Sequence, residues 1–144
     1  MLSSDRHPKV WVFAFMFYGT LLSGMSLCKS LGVYEPELKD LARLMGGDKW
    51  MHFFFSAGLS VLTLKASQSC FVNCNEVLRI SVIVVLLLVI LSVEEFLQLF
   101  SDNRAVDIRD VFYGMSGVLS GTGLYTLTNI GNIRVRFLSG TDFD

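Results

Sequence analysis

Charge is what this sequence has least of. Asp, Glu, Lys and Arg together make up 17% of the 144 residues, whereas 52% are hydrophobic, and the mean hydropathy is +0.53. A soluble globular domain carries about 25% charged residues, so the shortage points to a bilayer rather than water as the surroundings. A broad basic field is also missing: 12 Lys and Arg face 13 acids, for a net charge of -1. With no helix-turn-helix, zinc-finger or aromatic-basic pattern beside it, that balance argues against nucleic acid as a partner. Cysteine is too sparse and scattered for a disulfide framework; Cys28, Cys70 and Cys74 read as free thiols. The polar stretch from Met1 to Lys9 leads into an apolar run without an Ala-x-Ala cleavage site, so the run reads as a retained helix. No internal repeat or low-complexity linker divides the chain, and a single domain over 1–144 accounts for its length.

What is abundant is apolar sequence in blocks of membrane-crossing length. The fold class expected is an all-α membrane protein, a bundle of four transmembrane helices at roughly 10–28, 50–65, 80–100 and 111–133. The first span, Val10 to Cys28, is 19 residues without a charge, close to the ~30 Å hydrocarbon thickness at 1.5 Å per residue. The second, from Trp50, is short and relies on Trp50 and Lys65 at its ends. The third is rich in Val, Leu and Ile before it admits Glu94, Glu95 and Gln98; its length and hydrophobicity favour a membrane helix over a strand. The fourth is uncharged and contains Gly114, Gly117, Gly121 and Gly123, of which Gly117 and Gly121 form a small-xxx-small step for close helix packing, within one chain or in an oligomer. Between the first two spans, Leu38, Leu41, Leu44 and Met45 fall on one stripe of a short amphipathic interfacial helix. Ala66 to Leu78 reads as a polar loop.

Lys and Arg are divided evenly between the two faces of such a bundle: Arg6, Lys9, Lys65, Arg79, Arg134 and Arg136 on one, Lys29, Lys39, Arg43, Lys49, Arg104 and Arg109 on the other. The first set is nearly free of competing acids, which tilts the reading toward both termini in the cytoplasm. The Cys70/Cys74 loop then faces a reducing compartment.

Four spans require the start of span two, the end of span three and the start of span four to share one face, and the unusual polar residues are all there. Asp48 and His52 are four apart, hence on one side of a helix, with Lys49 beside them. Glu95 and Gln98 are three apart, and Arg104, Asp107 and Asp110 follow at steps of three. Capping alone accounts for Asp48 at the start of span two and for Asp107 or Asp110 at the start of span four. Glu95 and Gln98, inside the apolar zone, are what capping does not explain, and ionisable groups there are functional candidates. A metal is not expected: one histidine stands near the site, without a second at ligand spacing, and Lys49 and Arg104 neutralise the acids. No other cofactor is indicated. Glu94 is expected on another face, toward another helix or the rim.

The strings Asp48-Lys49-x-x-His52-Phe53, Glu95-x-x-Gln98, Arg104-x-x-Asp107-x-x-Asp110 and Gly117-x-x-x-Gly121 resemble the signature of the VanZ-like membrane protein family, in order and with similar gaps, over about half the chain. Two positions depart from it: Gly114 stands where the family usually has Asn, and Ser101-Asp-Asn103 replaces a Pro-Gly before the Arg. The resemblance implies a bacterial cell-envelope protein of the inner membrane, related to an accessory factor in glycopeptide resistance and grouped with membrane enzymes acting on lipid head groups. Two functions follow as expectations. The first is a hydrolase or transferase for a phosphorylated or glycosylated lipid head group, with Glu95 or His52 moving a proton, Asp48 and Asp110 orienting, and Arg104, Lys49, Gln98 and Asp107 holding substrate at the outer face. The second is a non-catalytic accessory protein recognising a lipid-linked glycan, a glycopeptide or a partner protein.

Overall fold

The computed structural model describes residues 8–71, 74–100 and 107–130. Among them there are five α-helices and no strand: α1 (Pro8–Ser30), α2 (Glu35–Leu44), α3 (Asp48–Cys70), α4 (Glu76–Leu97), continued by a 3-10 turn (Gln98–Phe100), and α5 (Ile108–Thr128). The expected amphipathic helix is α2. Two helices are long and apolar enough to cross a membrane, α1 and α4 with its 3-10 extension; α3 and α5 carry more polar residues.

Local chemistry sets most of these boundaries. Pro36 sits in the first turn of α2, where its missing N–H is no loss. That helix ends in a Schellman motif: Gly47 N donates to Ala42 O at 2.7 Å and Gly46 N to Arg43 O at 3.1 Å. Both glycines have positive φ, 90° and 117°, a region open to glycine at little cost. The chain thus turns sharply from α2 into α3. Gly47 is the N-cap of α3, so Asp48 is its first residue and not the cap expected from sequence; its side chain makes no capping bond. Asn75 caps α4 by accepting from Val77 N, and Asp107 caps α5 by accepting from Arg109 N at 2.9 Å, as capping predicts for that acid. The loop read over Ala66 to Leu78 is much shorter, because α3 runs on to Cys70 and α4 starts at Glu76.

Packing centres on α3, which lies against α5 along its length and carries α1 on another face. Gly117 and Gly121 make the α3–α5 approach possible. A Cβ on Gly117 would lie 2.2 Å from Phe53 O, and one on Gly121 2.4 Å from Ala57 O. Both glycines are therefore used inside the chain, and α3 occupies the face that an oligomer contact through them would need. Leu64, Val118 and Tyr125 fill the interior between α3, α4 and α5. Polar residues of the two less apolar helices meet each other: Ser60 Oγ lies 2.9 Å from Thr122 Oγ1, and Lys65 Nζ reaches Asn129 Oδ1.

At the end of the bundle away from the acidic cluster, the sequence reading needs a further correction. Arg79 is not a free interfacial cation. It is 3% exposed, bonded to Glu76, Ser67 Oγ, Leu64 O and Tyr125 Oη. Glu76, also buried, accepts from Tyr125 Oη at 3.0 Å. Arg79 therefore has its own acid, and the set of cations on that face is not free of competing acids as counted.

Candidate functional site

The site is built at the other end of the bundle, where the C-terminal ends of α1 and α4 meet the N-terminal ends of α3 and α5. The fold brings seven of the eight residues singled out from sequence into this region: Asp48, Lys49 and His52 on α3, Glu95 and Gln98 on α4 and its extension, Asp107 and Asp110 at the start of α5. Arg104 lies outside the described residues.

Glu95 is 4% exposed and Gln98 5%. Gln98 Nε2 donates to Glu95 Oε2 at 2.8 Å, and the other carboxylate oxygen accepts the Asp107 backbone N–H at 3.1 Å. A carboxylate in an apolar zone is tolerated when its lone pairs are taken up in this way. Glu94, expected on a different face, shares the same Gln98: the amide nitrogen donates to Glu94 Oε2 at 3.2 Å, and Ser26 Oγ of α1 donates to Oε1 at 2.7 Å. The spacing could have revealed it, since Glu94 and Gln98 are four apart and so on one helical face.

Beside this pair lies a charged chain. Lys49 Nζ bonds Asp107 Oδ2 and, at 3.3 Å, Asp110 Oδ1. The bond to Asp107 is the main reason that the Lys49 ammonium is held above its ordinary range, and the same bond holds the Asp107 carboxyl below its own, helped by the Arg109 N–H. Asp48 receives both its contacts from Lys29 at the end of α1, at 3.0 Å. Lys29 is a site neighbour that sequence reasoning counted only for topology. His52 Nε2 lies 3.7 Å from Asp110 Oδ2, too far for a good hydrogen bond, and this buried nitrogen has no hydrogen-bond partner among the described residues. Asp48, His52 and Asp110 bring ligand atoms within 4.8 Å of one another, a donor set suited to a divalent cation. Lys29 and Lys49 already supply the positive charge that such an ion would bring.

A cavity of about 610 Å³ opens from the cluster into the body of the protein. His52, Asp48, Lys29 and Glu94 line its polar end, and Leu22, Phe55, Leu59 and Leu91 its apolar end. Gly114 stands next to it: a Cβ there would meet Leu91 Cδ1 and Ser56 Oγ at 3.4 Å, a close contact with two side chains and not with backbone.

A scan against protein-family models finds no match, and neither does a search of curated proteins or of solved structures. The VanZ-like resemblance thus rests on the four motifs alone.

Proposed function

We propose that the chain is a multi-pass membrane protein of the VanZ-like kind, crossing a bacterial cytoplasmic membrane with α1, α3, α4 and α5, and that its cluster processes a phosphorylated or glycosylated lipid head group at the membrane rim. The lengths suit such spans: α3 has 23 residues and α5 has 21, about 34 Å and 31 Å of helix. Their polar residues, which lower their hydropathy, are turned toward protein partners such as Thr122, Asn129 and Arg79. In this reading both termini are cytoplasmic and the cluster is outside. Exposed Cys70 then reacts with a membrane-impermeant maleimide only after the cells are opened; reaction in intact cells overturns that orientation.

The observation that carries the function is His52 Nε2, buried without a hydrogen-bond partner among the described residues at the junction of cluster and cavity. A buried polar atom left unsatisfied costs stability, and a substrate hydroxyl or phosphate oxygen seated there completes the bond. Glu95, aligned by Gln98, or His52 moves the proton; Arg104 grips phosphate through its fork; Asp48 and Asp110 flank His52. Glu95→Gln and Arg104→Ala should each abolish a change in envelope lipid or glycan composition, read by mass spectrometry, while the protein stays folded. Wild-type composition from both variants overturns the proposal.

One feature favours the second reading, a binding protein without chemistry: Lys29 and Lys49 tie up Asp48, Asp107 and Asp110 in ion pairs. That reading predicts ligand protection against thermal unfolding with no product formed.

A further inference from the structure

We propose that α2 is a movable cover on the polar end of the cavity, swinging as a unit about the turns at its two ends while α1 and α3 stay packed. Entry to the cavity is then gated by α2, whether the cluster catalyses or only binds.

The segment 31–47 leaves the bundle and rejoins it at one place. Lys29, in the last turn of α1, holds both oxygens of Asp48, the first residue of α3, at 3.0 Å, so the two stems of the segment are tied to each other and not to α2. Each stem ends in a left-handed turn. Val33 N donates to Cys28 O at 2.9 Å across Gly32, whose φ is 69°, and this closes α1. Tyr34 follows at φ 58°, and Gly46 and Gly47 close α2 in the same region. Glycine torsions change at little cost, and a few such positions at the ends of an element absorb the swing of a lid.

Between these turns little holds α2 down. Among its described side chains Ala42 is buried, Leu38 and Leu41 are half-buried, and the others are exposed. Its described ion pair, Arg43 with Asp40, lies within the helix. The described backbone bonds of the segment reach at most five residues along the chain. An element with so few buried apolar groups opens at a small fraction of the free energy needed to unfold the domain. The seat of α3 on α5 is of the opposite kind, with backbone against backbone at Gly117 and Gly121.

The face that α2 turns inward is the cover itself. Leu38 and Ala42 line the cavity together with Asp48, His52 and Glu94. Swinging α2 away removes that wall and opens the polar end, where His52 Nε2 is otherwise buried, while the walls given by α1, α3 and α4 stay in place.

The test uses the full chain in phosphatidylcholine nanodiscs, freed of its three cysteines by Cys28→Ala, Cys70→Ser and Cys74→Ser. Ser56 is 4% exposed and lies on the cavity wall; Ser56→Cys makes it a reporter, read by its rate of reaction with N-ethylmaleimide. Leu41 is half-buried on α2 but off the lining, so Leu41→Ala loosens the seat without widening the mouth, and should raise the rate about tenfold. Leu22→Ala with Ile90→Ala, in the α1 and α4 walls, should leave it unchanged. In a second chain, with Ser56 kept, spin labels at Glu37→Cys and Phe112→Cys, both exposed positions, should report two distances, the longer gaining population on Leu41→Ala. An unchanged rate in Leu41→Ala overturns the proposal, as does a single distance common to both forms. A rate raised by Leu22→Ala with Ile90→Ala also overturns it, by placing entry between α1 and α4. None of these readings needs turnover, so the gate and the enzymatic reading fail separately.

Discussion

The backbone N–H of Asp107 points at Glu95 Oε1, 3.1 Å away, so the residue that caps α5 also holds the buried carboxylate at the end of α4. Removing the carboxylate leaves the Asp107 N–H without its acceptor and takes from the Gln98 amide the shorter of its two bonds, leaving the one to Glu94. Glu95→Ala should therefore destabilise by about 1–3 kcal/mol. Glu95→Gln keeps an acceptor for one of them and should unfold closer to wild type, while losing any reaction that needs the carboxylate. Thermal unfolding in detergent micelles separates the two variants; equal loss of stability in both would mean that charge rather than hydrogen bonding holds this corner.

The Lys49–Asp107 pair makes stability depend on pH at both extremes. The Asp107 carboxyl is held below its ordinary 3.8, so its contribution is present above that value and is lost as pH falls through the lower folded value. Lys49 is held above its ordinary 10.5, so its contribution is intact below 10.5 and is lost as pH rises through the higher folded value. Asp107→Asn retains a good N-cap but not the ion pair. Its unfolding midpoint should fall less steeply in acid than that of the wild type; an unchanged acid limb assigns the effect to other carboxylates.

The apolar blocks and the shared face of the charged residues were legible because span length and helical periodicity are local properties. α2 was legible for the same reason, from its leucine stripe. What escaped depends on which side chain meets which across helices. Lys29 looked like a topological charge until the α2–α3 corner brought Asp48 to it. Glu94 looked separate from Glu95, although one Gln98 amide reaches both. Glu76 looked like a loop residue and Arg79 like a topological charge because the start of α4 was drawn too late, yet their three-residue spacing at the head of an apolar run is itself a pairing signal.

Two glycines close the α3–α5 contact, and a third on the same helix provides the control. Gly117→Ala would set a methyl 2.2 Å from Phe53 O, against backbone that cannot rotate away, whereas a Cβ on Gly123 meets nothing within 4 Å. The expected cost of Gly117→Ala is at least about 1–3 kcal/mol from overpacking, and Gly121→Ala should behave alike. Gly123→Ala should be neutral or slightly stabilising through helix propensity. Unfolding midpoints of the three variants rank them; a neutral Gly117→Ala would mean that α3 and α5 pack less closely than described.

The buried pair at the opposite end should be needed as a unit. Side-chain exposures of 2% for Arg79 and 5% for Glu76 leave little water to compensate either charge. Arg79→Met takes the guanidinium away from the buried Glu76 carboxylate, which keeps its bond from Tyr125 Oη, and should cost about 3–5 kcal/mol. Removing Glu76 as well, by Glu76→Leu in the same chain, takes away that charge and should recover much of that loss. Tyr125→Phe keeps the pair but deletes the hydroxyl that donates to Glu76 and accepts from Arg79 at 2.7 Å, for about 1 kcal/mol. A double-mutant cycle on unfolding measures the coupling. A double variant as unstable as the sum of the singles would show that Arg79 and Glu76 act independently, and that the end of the bundle is held by the packing of Leu64, Val118 and Tyr125 instead.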